Sequence, residues 1–289
     1  MTKAREIIET QEFATLPAVA SKVLSILEDE DVNIRSLSTL IETDPALTIK
    51  VLRVANSPLY ATSSEVNSIN QAIVNLGLNR LTNIVLGISI FSKFFINTNN
   101  ELSAYINKFW WHSSSTGMIA KSLSTKLNKF FKEAEFIGGL IHDIGKLALL
   151  QYSLKDFREV LMLVESGNSD IEAENMVFGT NHNEIGAEIA KLWKLPKDLT
   201  QILQYHTNPQ LANFNKELVA LVRLADQFAE IWGADFYEGI TELYVEETES
   251  WKILVAAYPE LEDLDIEMFT FELENEFYKT TEFLKIVKE

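Results

Sequence analysis

The chain carries four histidines, His112, His142, His182 and His206, and all fall between residues 101 and about 234. Two oxygen donors accompany them. Asp143 follows His142 directly, and Asp226 ends the apolar run Leu221-Val222-Arg223-Leu224-Ala225-Asp226. Imidazole nitrogen and carboxylate oxygen together make the ligand set of Zn, Fe or Mn sites. A mid-helix Asp on an apolar face has poor propensity, and burying its charge unpaired costs several kcal/mol, a cost that a nearby cation removes. His112, His142, Asp143 and Asp226 are therefore the expected metal ligands, with His182 and His206 offering two further nitrogens. With no cysteine in the chain, thiolate nucleophiles, disulfides and iron–sulfur clusters are excluded, and any metal must sit on nitrogen and oxygen.

Helices must position these groups. Only 11 Gly and 6 Pro occur in 289 residues, and the apolar residues recur mostly at spacings of three and four, which predicts an all-α chain. The segment from Phe136 to Lys146 carries an apolar stripe at Ile137, Leu140, Ile141 and Ile144, with Gly138, Gly139, His142 and Lys146 on the other face. Each mid-helix glycine costs roughly 1 kcal/mol relative to Ala, so something is expected to approach the backbone closely there. Lys146 reads better as a solvated lysine than as a phosphate contact. His112, after Phe109-Trp110-Trp111, is placed at the start of a helix, and the tryptophan pair in the core. His182 is placed at the head of a helix running to Leu192.

Upstream, Pro17 reads as the first residue of a helix with Val19, Val23 and Leu27 on one stripe, and Asp44-Pro45 as a cap followed by Pro at the first helical position. Asn56-Ser57-Pro58 stops that helix, and Gly77 breaks the pattern between Ile69-Ile73-Leu76 and Leu81 to Ile88. Residues 1–98 read as a helical N-terminal part, 99–234 as the histidine-bearing part, and 235–289 as an acidic extension, with Asn97 to Asn100 as the boundary run. Ile84, Val85, Leu86, Ile88, Ile90 and Phe91 leave the last helix of the first part apolar on nearly every side, which predicts one packed body. The extension holds 16 Asp/Glu against 4 Lys, or −12 of the total −17 charge. Its Ile266, Phe269, Leu273, Phe277, Leu284 and Val287 keep helical spacing, so it should fold as an amphipathic helix packed on the protein's own body. A charge of −17 disfavours nucleic acid as a partner, because a phosphate backbone would be repelled. No stretch approaches the roughly 18 uncharged apolar residues of a membrane span, so no membrane partner and a cytoplasmic location are expected.

Several ordered motifs resemble one family. Thr15-Leu16-Pro17, Asp44-Pro45-Ala46-Leu47 ending in Ala55-Asn56-Ser57, Ala72-Ile73 with Leu76-Gly77, Phe109-Trp110 with His112, and Gly139 to Lys146 are similar to the HDOD family, the HD-related output domains of bacterial signalling. The resemblance covers about residues 12 to 232 and implies a helical N-terminal unit packed on an HD-superfamily-like bundle. It also implies a regulatory relative of metal-dependent phosphohydrolases, acting through a protein partner of a signalling pathway or a nucleotide ligand rather than through turnover. Set beside the HD-GYP cyclic-dinucleotide phosphodiesterases, His112, His142, Asp143, His182, His206 and Asp226 all occupy ligand-like places. The implied cofactor is a divalent metal, Fe, Mn or Zn. Two departures stand against hydrolysis: Thr207 follows His206 where those enzymes pair histidines, and Asn208-Pro209 replaces their Gly-Tyr-Pro motif. Taken singly, each histidine is better read as a hydrogen-bonded core residue; it is the occurrence of all four at HD-type places that favours a site. The expected function is a non-catalytic signal-transduction module with a metal centre. The alternatives are a metal-dependent phosphohydrolase acting on a nucleotide or cyclic dinucleotide, and a scaffold with a relic site.

Overall fold

The structure, a computed structural model, describes residues 2–9, 13, 15–27, 34–57, 60, 65–94, 101–277, 280–281 and 284, without the side chains at 27, 275 and 276. Among the described residues every regular element is an α-helix or a 3-10 turn and none is a strand, so the chain is all-α as its apolar spacing implies. No described helix is long and apolar enough to cross a membrane. The expected boundary run Asn97 to Asn100, the stop residue Pro58 and the apolar position Val287 lie outside the described residues.

The chain divides into two compact units, one of residues 1–15 with 96–278 and one of residues 16–95 with 279–289. Helix α1 (Lys3–Glu9) belongs to the first of these. The other holds α2 (Ala18–Leu27), α3 (Ile34–Glu42), α4 (Pro45–Ala55), α5 (Ile69–Leu76) and α6 (Leu78–Phe94). Local chemistry sets their ends. The Asp44 carboxylate accepts the Leu47 N–H at 3.0 Å, ahead of Pro45 at the first helical position. Asn56 closes α4, donating from Nδ2 to the Val66 carbonyl at 2.8 Å and accepting the Val66 N–H at 2.7 Å. Gly77, at φ +84°, ends α5 in a backbone conformation that a Cβ would strain, and α6 starts at once. Helix α6 buries Leu81, Ile84, Val85, Leu86, Ile88, Ile90 and Phe91, in keeping with its all-round apolar sequence.

The larger unit contains α7 (Glu101–Lys126), α8 (Ala134–Ile141), α9 (Ile144–Tyr152), α10 (Leu154–Glu165), α11 (Asp170–Phe178), α12 (His182–Trp193), α13 (Lys197–Tyr205), α14 (Lys216–Ile231), α15 (Glu249–Ala257) and α16 (Ile266–Phe277). Helix α7 runs along α8 and α14, α12 packs on α9 and α13, and α13 also meets α8 and α14. Trp110 is fully buried and Trp111 half-buried. The apolar stripe of α16 folds onto its own unit: Phe269, Leu273 and Phe277 are buried, and the Phe277 ring lies 5.7 Å from Trp111 and 6.0 Å from Trp232. The acidic residues between these stripe positions, such as Glu267 and Glu272, face water.

Candidate metal centre

Close backbone approaches bring the histidines together. A Cβ on Gly139 would stand 2.7 Å from the Gly117 Cα, so α8 and α7 cross at a pair of glycines. That crossing sets His142, at the C-terminal end of α8, beside His112, in the middle of α7. A Cβ on Gly145 would stand 2.1 Å from the His182 carbonyl oxygen, so the first turn of α9 is pressed onto the head of α12. On Gly138 it would meet the tip of Ile202 on α13, the helix that ends at His206. Asp143 occupies the N-cap of α9 without capping it, and its carboxylate is aimed into the cluster instead.

The six side chains expected as ligands converge, and none is accessible to solvent. His112 Nε2 lies 3.3 Å from His142 Nε2 and 3.1 Å from Asp226 Oδ1, and His142 Nε2 lies 3.3 Å from the same oxygen. Asp143 Oδ1 lies 3.2 Å from His206 Nε2 and 3.6 Å from His182 Nε2, and Asp143 Oδ2 lies 3.5 Å from His142 Nε2. On every ring the outward nitrogen, Nδ1, is held from behind: by the Ala234 carbonyl at 2.7 Å, the Gly139 carbonyl at 2.8 Å, the Glu174 carboxylate at 2.7 Å and the Ile202 carbonyl at 3.1 Å. A ring that donates Nδ1–H outward presents the Nε2 lone pair inward, the arrangement found at metal-ligating histidines. Asp143 Oδ1, Asp226 Oδ1, His182 Nε2 and His206 Nε2 are buried without a hydrogen bond, although buried polar atoms are otherwise nearly always satisfied. The triads His112-His142-Asp226 and His142-Asp143-His206 each place their donor atoms within reach of a common ion, so the donor set fits a metal bound by nitrogen and oxygen.

A second ring of charge surrounds the first. Lys146 Nζ contacts Asp143 Oδ2 and Asp170 Oδ2 at 2.9 Å each and Glu238 Oε1 at 3.4 Å. Arg223 Nη1 bridges Asp226 Oδ2 and Glu238 Oε2 at 2.6 Å each. Burial alone would depress a histidine pKa, but at His112 the close approach and negative charge of Asp226 outweigh it and raise the value to about 9. At His182 Glu174 does the same, also to about 9. Burial wins at His206 and lowers it to about 4. Asp143 and Asp226 are held well below the usual carboxylate range, against the opposing effect of burial, chiefly by Lys146 and His142 in one case and by His142 and His112 in the other.

The structure revises several local expectations. Phe136 to Lys146 is not one amphipathic helix with two faces; α8 and α9 meet at the His142-Asp143 corner, and both are buried all round because other helices cover each side. His112 does not start a helix, since α7 begins eleven residues earlier at Glu101. Lys146 is not solvated; at 2 % exposure it is the cation between three carboxylates. The glycines mark close helix packing, and His182 does open α12. Asp170, Glu174, Arg223, Glu238 and Glu230, whose Oε1 lies 3.6 Å from His112 Nδ1, were not legible as members of the site. Arg223 three residues before Asp226, and Asp170 with Glu174 at helical spacing, were weak signals for three of them, while Glu238 lies in an irregular stretch whose pattern says nothing.

Residues 13–209 match the family model described as HDOD domain. The fold also recurs in solved structures. An HDOD domain protein of unknown function from Geobacter sulfurreducens is 27% identical, with a TM-score of 0.77 and coverage of 99% of this chain and 96% of that one. A proposed phosphohydrolase from Shewanella amazonensis SB2B is 22% identical with a TM-score of 0.72, over 99% of this chain and 98% of that one. A proposed metal-dependent phosphohydrolase from the same organism is 18% identical with a TM-score of 0.61, over 96% and 100%. The last two likenesses show the fold alone. No curated protein matches the chain significantly.

Proposed function

The chain belongs to the HDOD domain family, and from that premise we propose that it is a regulatory signal-transduction module whose buried His/Asp centre holds a divalent metal as a conformational anchor rather than for turnover. One observation supports the reading above the others. Four imidazoles turn Nε2 inward onto Asp143 and Asp226 while all six side chains are sealed from solvent, so donors are preset but a bulky substrate has no path to them in this conformation.

His112, His142, Asp143, His182, His206 and Asp226 would hold the ion, with Fe, Mn or Zn compatible with the donors. When bound, such an ion supplies positive charge and Lewis acidity. The chain's own residues supply the rest. Ala234, Gly139, Glu174 and Ile202 fix the ring orientations, and Lys146 and Arg223 hold the outer carboxylate oxygens. In the metal-free centre the raised histidines His112 and His182 join Lys146 and Arg223 as cations facing Asp143, Asp170, Glu174, Asp226, Glu230 and Glu238, and a bound ion would take the place of the two histidine protons. The signal would pass by contact with a protein partner whose affinity differs between two arrangements of the helices. A cytoplasmic setting suits a chain without cysteine.

The test is to strip the protein with chelator and add Mn2+, Fe2+ or Zn2+. A bound ion at 100 times its Kd adds about 2.7 kcal/mol of stability, seen as a higher melting temperature, and no hydrolysis of nucleotides or cyclic dinucleotides is expected. No retained metal and no thermal shift would leave the scaffold reading. The phosphohydrolase reading is favoured by the cations Lys146 and Arg223 standing beside the ligand carboxylates. Metal-dependent hydrolysis lost in His142→Ala and Asp143→Ala would put it first.

A further inference from the structure

We infer that the groove flanking α15 and the start of α16 is a docking surface for a basic amphipathic helix of a protein partner. Two adjoining cavities make the groove. The larger, of about 520 Å³, is lined by the buried Trp251 and Leu261, the half-buried Val255 and Leu264 and the exposed Ala256, from α15 and the stretch around the 3-10 turn at Pro259–Asp263. The smaller, of about 390 Å³, lies between the C-terminal end of α14 and the 3-10 turn at Val245–Glu247, against Phe228, Ile231, Trp232 and Tyr244. Ile266 and Glu246 line both, so the two are neighbours along one face. Tyr244 is 66 % exposed, and Ile231, Trp232 and Ile266 are half-buried, so apolar surface here stands open to water.

Charge selects the occupant. Residues 242–274 hold 11 Asp/Glu against 1 Lys, a local balance of −10. That lysine, Lys252, lines the larger cavity but is paired with Glu249 at 3.0 Å. Glu246, Glu247 and Glu262 on the lining are exposed and have no ion pair among the described residues. A second copy of this chain would bring −17 of like charge and an equally acidic groove, whereas a Lys/Arg-bearing segment is attracted. An acidic face that is merely solvated needs no cavities. Two apolar cavities side by side fit apolar side chains at successive turns of one helix, with its cations set against the glutamates. The inference deepens the proposed reading by giving the partner a surface and a chemistry, and rests on that reading only for the link to the centre. The link is physical: Phe228 lies two residues along α14 from Asp226, and the segment that starts at Ala234, whose carbonyl holds His112 Nδ1 at 2.7 Å, runs on to Tyr244.

The test measures binding of a fluorescent, roughly 18-residue peptide of Leu and Lys at helical spacing to the full chain in about 0.15 M salt. One control peptide carries Glu for each Lys, the other Ser for each Leu, and wild type should bind neither. Ala256→Arg, which puts bulk and like charge into the larger cavity, and the double variant Glu246→Lys/Glu262→Lys should each weaken binding by about tenfold or more. Glu159→Lys/Glu165→Lys, the same charge change at exposed positions of α10, should alter it by no more than about twofold. Equal loss in the two double variants, equal binding of the Ser peptide, or no binding by wild type overturns the proposal. A wild-type dimer in sedimentation that Ala256→Arg dissociates puts a second copy in the groove and overturns it too. The series is run on chelator-treated protein and again after equilibration with Mn2+. A change in peptide affinity supports both the groove and its link to the centre, and equal affinity supports the groove alone. Absent binding beside normal Mn2+ uptake strikes the groove and leaves the metal reading standing.

Discussion

In the histidine centre Asp143, Asp170, Glu174, Asp226 and Glu238 are withdrawn from water, each against an imidazole, Lys146 or Arg223, whereas Glu246, Glu247, Glu260, Glu262, Glu267 and Glu272 of the same unit stand exposed around α15 and α16. The residue types are alike and the physics is opposite. An exposed carboxylate is hydrated, its ion pairs are screened, and its neighbours barely notice its loss. A buried carboxylate has given up its hydration, so its stability contribution depends on the partners that replace water, and losing one partner strands the other. The acidic extension thus supplies most of the net charge, while a handful of acids in the centre decide how the helices fit.

The largest effect that would sharpen this contrast is expected from Asp143→Ala. It strips Lys146, His142, His182 and His206 of a common partner, and breaking a buried pair in this way costs about 3–5 kcal/mol, readable by urea unfolding. A cost no greater than that of a surface substitution would break the comparison. Next comes the glycine packing. Gly145→Ala drives a methyl group into the His182 carbonyl, where backbone must move, and should cost about 1–3 kcal/mol or more, whereas Gly138→Ala meets only the flexible end of Ile202 and should cost less.

A pH series tests the charge account with a defined sign. His112 and His182 are held at about 9, above the ordinary 6.5, so their contribution to metal-free stability is complete below pH 6.5 and is lost as pH rises through 9. His206, lowered to about 4, slopes the other way, and stability falls as pH drops from 6.5 toward 4. Glu230, raised to about 7 by burial, offsets the slope of His206, so stripped protein should be more stable at pH 6.5 than at pH 9 by denaturant melts, while Mn2+ affinity rises up to about pH 9, because binding expels the protons of His112 and His182. A stability maximum at pH 9 would contradict the assignment. The smallest effect belongs to the exposed face. Glu260→Gln, which removes the pair with Lys129, should leave the melting temperature unchanged within error.

Residue spacing was enough for the helical class, for the cap at Asp44-Pro45, for the break at Gly77 and for the buried stripe Phe269-Leu273-Phe277, because each depends on neighbours within one or two turns. Residue type, together with the family motifs, was enough to pick out six side chains that the structure brings together, since few side chains offer nitrogen or carboxylate oxygen to an ion. The bend between α8 and α9, the burial of Lys146, the bridge from Arg223 to Glu238 and the inward orientation of all four Nε2 atoms were decided only in three dimensions. Whether a charged group is solvated or paired depends on segments 30 to 90 residues away that exclude its water, and a pattern read along one helix contains no information about what packs over it.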